Sequence, residues 1–254
     1  MKKFNYAVVR TPTEYNDGSN EKLDYSISQI IKEHDTLVHF LRNVPIRVHN
    51  MPSIANDVIG SKLSQLCIAT PRCVVLTNFI DGLVNNQKIN IATHLGRFYP
   101  LNKIHFIDFP GLVSTKDILA VDDTYYISLS DETNQEGATQ LSEILAQYGF
   151  TVTIVSESVE PLSKYLNYVE GNNLLVREGY EAPKIFDQFN KVIVPEEEKS
   201  AIGAIWINEV IILPNDCPRV KEYLISLDRY KVLSISIDEM NKINNLLKEY
   251  LVLF

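Results

Sequence analysis

Short apolar runs alternate along this chain with polar corners and amphipathic stretches, and the alternation recurs. In "TYYISLSDETNQEGATQLSEILAQYGFTVTIVSES", residues 124–158, an apolar run at 125–129 leads into a polar corner. An amphipathic stretch over about 134–148 and a second alternating run at 151–155 follow. Apolar spacing near 3.6 predicts a helix in the middle, and the flanking runs predict strands. The layout returns in "WINEVIILPNDCPRVKEYLISLDRYKVLSISID", residues 206–238, with Pro218 near the start of the helix. It returns in residues 173–198 with a shorter helix around 182–189. At the N-terminus "YAVVR" precedes a helix striped by Ile27, Ile30, Ile31, Leu37, Val38 and Leu41. A reduced copy is read over residues 88–109, "KINIATHLGRFYPLNKIHFIDF".

Self-similarity of this kind decides architecture before any single residue does. Strands alternating with helices predict an α/β fold with partly parallel pairing. Five copies of strand, corner, variable helix and strand predict one closed, propeller-like ring over residues 1–254, with pseudo-five-fold symmetry. The 45% apolar content supplies a sizeable core. In such a ring the strand ends converge on a central site, and corners after strands commonly present side chains to ligands.

Composition narrows the chemistry. A net charge of −8 argues against nucleic acid, whose phosphates demand clustered Lys and Arg. No run approaches the roughly 18–20 apolar residues that span a bilayer, and the opening residues 1–5 lack the apolar core of a secretory signal. The expectation is a cytoplasmic protein without membrane association. Cys67, Cys73 and Cys217 show neither CxxC spacing nor an even count, so buried free thiols are expected rather than disulfides or zinc. His34, His39, His49, His94 and His105 form no metal-binding pattern. No cofactor is indicated.

Three segments carry a family resemblance: "YAVVR" at 6–10, "LSDETNQEGA" at 129–138, and "LSISIDEMNKINNLLKEYLVLF" at 233–254. Together they resemble the pentein, or amidinotransferase-like, superfamily, and within it the dimethylarginine dimethylaminohydrolases. The resemblance implies a five-unit ββαβ propeller. It also implies a chemistry in which a cysteine thiolate attacks a guanidinium carbon and a histidine transfers protons. Carboxylates hold the guanidinium, and arginines grip the α-carboxylate.

Matched to that pattern, the nucleophile position falls on Glu249, or on neighbouring Tyr250, and the histidine position on Leu162. Arg72, Thr77 and Asn78 stand where the guanidinium carboxylates are expected, and an arginine there repels a cation. The acid-Gly-Gly-Asp signature reads Ser114-Thr115-Lys116-Asp117 and keeps only Asp117. Glu132 takes the place of a carboxylate-binding arginine, and His94 lies near the place of a second one. Ligand-binding candidates are therefore Arg72, Thr77, Asn78, His94, Asp117, Glu132 and Glu249. The expected product is a catalytically degenerate dimethylarginine dimethylaminohydrolase-like protein. It would act as a binding or partner subunit, for a small amino-acid-like ligand, an active paralogue or a second copy of itself. The alternative is an enzyme of the guanidino-group-modifying superfamily with altered chemistry, using Glu249, Glu132, Asp117 or His94 as acid and base. Simpler roles stand beside these: Asp117 fixing its own turn, and Asp131, Glu132 and Glu136 favouring the positive end of the following helix.

Overall fold

The computed structural model describes residues 3–13, 25–54, 62–78, 84–156, 160–242 and 246–254, with the backbone alone over 84–89. Among the described residues one pattern builds four of the five sheets, a tight antiparallel hairpin followed by a crossover to a third strand. The first sheet has the same three-stranded order but takes its antiparallel strand from residues 251–253.

The first strand, β1 (Tyr6–Arg10), is followed by α1 (Ile27–Arg42) and then β2 (Arg47–Met51), parallel to β1. Next come β3 (Cys67–Ala69), β4 (Val74–Leu76), α2 (Val84–Leu95) and β5 (Ile104–Phe106), with β4 antiparallel to β3 and parallel to β5. The third set is β6 (Ile118–Val121), β7 (Thr124–Ser128), α3 (Gln135–Gln147) and β8 (Thr151–Val155), paired in the same way. A short α4 (Leu162–Tyr165) opens the fourth, with β9 (Leu166–Val169), β10 (Asn173–Arg177) and β11 (Asn190–Val194). The fifth holds β12 (Ile205–Ile207), β13 (Val210–Pro214), α5 (Pro218–Ser226) and β14 (Lys231–Ile235). After α6 (Asp238–Lys242), the last strand β15 (Leu251–Leu253) pairs antiparallel with β1 and completes the first sheet.

Hairpin chemistry explains the tightness. Asp122, Asn172 and Asn208 take positive φ between paired strands, the left-handed conformation that Asn and Asp tolerate best among non-glycine residues. Parallel neighbours need a crossover, and the helices supply it.

Two sequence expectations change here. Residues 88–92 are not a strand but part of α2, so the unit containing them begins earlier, at β3 and β4. The helix expected around 182–189 is a single 3-10 turn, Lys184–Phe186, entered through Pro183. Helices α1, α3 and α5 fall where their periodicity places them, whereas the short α4 and α6 were not anticipated.

The described residues divide into two compact units. Residues 65–193 hold the second to fourth sheets, and residues 2–64 with 194–254 hold the first and fifth. In the first unit, Val75, Val113, Tyr125, Ile127, Leu141 and Leu145 form one apolar core beneath α3. In the second, Ile30, Leu37, Val38 and Leu41 of α1 pack with Ile212, Ile235 and Met240. The α1 stripe also buries Glu33 and His34, which apolar periodicity does not reveal. The Glu33 carboxylate accepts N–H bonds from Glu239 (3.0 Å) and Met240 (3.0 Å), capping α6. Glu239 in return accepts the Ser26 N–H at the start of α1 (2.7 Å). All three cysteines are buried and none forms a disulfide.

Candidate functional site

Within residues 65–193 the C-terminal ends of β4 and β7 deliver the polar corner singled out in the sequence. Asn134 is its keystone. Its Oδ1 caps α3 by accepting the Gly137 N–H (2.8 Å) and also accepts the Leu112 N–H (2.9 Å), while its Nδ2 donates to the Pro110 carbonyl (2.8 Å). Gly137 is required by the close passage of the 110–112 segment: a Cβ there would lie 2.1 Å from the Leu112 carbonyl oxygen. Asn78, just past β4, joins the same segment, accepting the Val113 N–H (2.8 Å) and donating to the Gly111 carbonyl (3.3 Å).

Below the corner sits Asp117, 1% exposed. Its Oδ2 accepts the hydroxyls of Ser130 (2.7 Å) and Thr133 (2.6 Å). Those hydroxyls in turn accept backbone N–H groups, Ser130 from Glu132 (3.0 Å) and Thr133 from Ser114 (2.9 Å). The other carboxyl oxygen, Oδ1, is buried and meets no hydrogen-bond donor among the described residues. Burial raises the Asp117 pKa, opposed by the two hydroxyls. Glu132 rides on this scaffold, half-exposed, with the Lys116 ammonium 3.4 Å from its carboxylate. Asp131 is exposed, and Glu136 lies in the first turn of α3. Leu162, at the head of α4, is fully buried among Leu119, Tyr126, Leu166 and Phe186, and α4 packs on the 3-10 turn that carries Asp117.

The structure thus gathers Asn78, Asp117 and Glu132 at one corner, with Leu162 beneath it. Arg72 is elsewhere. It precedes β4 whereas Asn78 follows it, and six residues of near-extended chain put about 20 Å between them. Its guanidinium lies over Phe150 (4.7 Å), donates to the Tyr148 carbonyl (2.8 Å) and pairs with Asp123 (3.3 Å). An Arg72–Glu132 pairing, one way of closing a reversed-charge site, is therefore not formed, and Arg72 does not set the polarity of this corner. Thr77 is fully buried, its hydroxyl donating to the Gln65 carbonyl (3.1 Å). His94 occupies the last turn of α2, half-buried.

Residues 194–254 hold Glu249, in the 3-10 turn Leu247–Tyr250 that leads into β15, its N–H bonded to the Leu246 carbonyl (2.9 Å). Although Lys248 keeps part of its surface accessible, loss of hydration pushes its ammonium down to about 8, with Glu249 opposing. Sequence reasoning read Ser114 and Lys116 only as departures from a signature and passed over Ser130 and Thr133, although all four fix the corner. The signal was present as hydroxyls flanking Glu132 in "LSDETNQ", two of them spaced to reach back to one buried acid.

Comparison with known proteins places these features. A likeness in fold reaches enzymes of low identity. One is an amidinotransferase of saxitoxin biosynthesis from Microseira wollei (TM-score 0.79, 11% identity, covering 98% of this chain and 94% of that one). The fold, α/β with five small sheets, is the pentein fold shared by a solved dimethylarginine dimethylaminohydrolase structure, as the repeats predict. No protein-family model matches the chain. Dimethylarginine dimethylaminohydrolase from Pseudomonas aeruginosa is 31% identical over 247 residues, covering 95% of this chain and 96% of the relative. A solved structure of that organism's enzyme, a cysteine-to-serine variant with citrulline, gives a TM-score of 0.89 at 29% identity, with both chains covered completely. A histidine-to-glycine variant of dimethylarginine dimethylaminohydrolase as its S-methyl-L-thiocitrulline adduct gives 0.88 at 28% identity, over 99% and 100%. The chain belongs to the dimethylarginine dimethylaminohydrolase family.

Proposed function

We propose that this family member does not carry out cysteine-dependent hydrolysis and acts instead as a binding or partner subunit. Its ligand would be a small amino-acid-like molecule, and its protein partner an active paralogue or a second copy of itself. The state of the thiols carries the reading. Cys67 and Cys217 are buried, and burial pushes both up to about 12, while Cys73 is buried and raised by the same cause. A thiol held protonated at neutral pH is a poor nucleophile. The relatives crystallised with citrulline or a thiocitrulline adduct were altered at a cysteine and at a histidine. Here the turn before the last strand carries Glu249 and Tyr250, and the position matched to the histidine is the buried Leu162.

A second reading rests on Asp117. A buried carboxyl raised by desolvation, with one oxygen lacking a donor among the described residues, has the character of an acid in altered guanidino-group chemistry. One assay separates the readings. Protein incubated with arginine and its N-methylated forms should yield no citrulline above a protein-free control. Citrulline release abolished by replacing Cys67, Cys73 or Cys217 would overturn the first reading. Release that survives removal of all three thiols and stops in Asp117→Asn would favour the second.

A further inference from the structure

Each crossover strand, β2, β5, β8, β11 and β14, ends its sheet on one side. Such an edge offers main-chain N–H and C=O groups to another strand, and proteins commonly block it with a charge or a covering side chain. Arg47 stands in β2, Lys191 in β11 and Lys231 in β14. At β5 the Ile104 N–H is taken by the Leu101 carbonyl. Two residues beyond that strand, the Gln140 amide occupies both main-chain groups of Asp108 (2.9 and 3.0 Å).

Strand β8 has no such guard among the described residues. Residues 149–156 read Gly-Phe-Thr-Val-Thr-Ile-Val-Ser, without a charge. Every residue of β8 is β-branched, the type that favours strands. The Thr151 N–H bonds to the Asp123 carbonyl (2.9 Å). The parallel register with β7 then turns the main-chain groups of Thr151, Thr153 and Val155 inward and those of Val152 and Ile154 outward. No described residue bonds to those outward groups.

The spacing of the open groups suits a second copy of the same strand. Two copies meeting antiparallel about a two-fold axis at Thr153 set Val152 of each opposite Ile154 of the other. Both are hydrogen-bonded pairs, so every outward N–H finds a carbonyl. Thr153 meets its own copy in the closer, non-hydrogen-bonded pair, where threonines pair favourably. No like charges are brought together along the edge.

We infer that β8 is a self-association edge, through which two copies of this chain join their third sheets into one of six strands. Both copies use the same edge, so pairing closes at the dimer. A single strand is a small interface and each copy carries a charge of −8, so association is weak and gains from salt. The inference rests on the second-copy partner of the proposed function. Its test reads association and not citrulline, so either can fail alone.

Sedimentation velocity on the full chain, from about 10 to about 500 µM in about 0.3 M salt, should show monomer giving way to dimer and nothing larger. Thr153→Lys and Thr153→Glu each set like charges face to face across the axis and should weaken the dimer at least about tenfold. An equimolar mixture of the two should restore it to within about threefold of the parent, a result that misfolding of either variant cannot produce. An unchanged thermal unfolding profile verifies that each variant folds. In the parent protein, the Val152 and Ile154 amides should exchange with deuterium more slowly as concentration rises. A monomer at every concentration would overturn self-pairing and leave the edge to a strand of another protein. Growth beyond the dimer, a dimer undiminished in Thr153→Lys, a mixture of folded variants that stays monomeric, or amide exchange indifferent to concentration would each overturn the two-fold pairing.

Discussion

The Thr133 hydroxyl lies 2.6 Å from the Asp117 carboxylate, across sixteen residues of sequence, and both groups are buried. With Ser130 on the same oxygen, this contact fixes the loop between β7 and α3. Asp117→Ala strips two buried hydroxyls of their acceptor and should cost about 3 kcal/mol in urea unfolding. Asp117→Asn keeps an acceptor oxygen and should cost roughly half as much, since burial already disfavours the charge. Losses below about 0.5 kcal/mol in both variants would mean that the network does not hold the loop.

Gly137 tests the same corner sterically. An added methyl would sit 2.1 Å from the Leu112 carbonyl oxygen and 2.6 Å from its carbon and nitrogen, all backbone atoms that cannot rotate away. Gly137→Ala should therefore destabilise by more than about 2 kcal/mol, despite alanine's better helix propensity. A neutral or stabilising effect by thermal melting would show that the 110–112 segment yields.

His34 makes stability depend on pH. Its ring is fully buried in α1, neither nitrogen has a hydrogen-bond partner among the described residues, and burial pushes it down to about 4. The unfolded imidazole titrates near 6.5. Between those values the unfolded chain binds the extra proton, so stability is complete above about pH 6.5 and is lost as pH falls towards 4. The full loss is about 3 kcal/mol. Urea midpoints at pH 7 and pH 5 should differ less in His34→Leu than in the parent protein. Equal pH dependence in the two would remove His34 as the cause.

The thiols provide a chemical readout. Cys67, Cys73 and Cys217 are buried and raised, so a disulfide reagent at pH 8 should label none of them within minutes in the native protein. After denaturation all three should react. Rapid labelling of a native thiol would supply the nucleophile that the proposed function denies.

How much of this was legible beforehand depended on whether the signal was local. The α3 unit could be read because its cap, its stripe and its following strand are contiguous, and Asn134 and Gly137 announce the corner. The α2 unit was misplaced because residues 88–92 alternate like a strand, whereas their unit's true strands are only three residues long. Glu33 and His34 were passed over because polar residues on an apolar stripe look like its edge, and the partner of the Glu33 carboxylate is α6, more than 200 residues away. Arg72 was assigned to the corner, with Thr77 and Asn78, by matching residues 71–78 to the family pattern. That stretch spans β4, so nearness along the chain became separation in space.

The pairing of β1 with β15 imposes an order of assembly. Strand β1 leaves the ribosome well before its antiparallel neighbour, residues 251–253, has been made. Residues 65–193, with all three of their sheets, are complete long before that. During synthesis the early strand must wait with one edge uncovered while a whole inserted unit folds, because pairing over so large a sequence separation is slow to form. A chain stalled or cut before Leu251 would therefore present β1 as an open edge, available to another chain's strand.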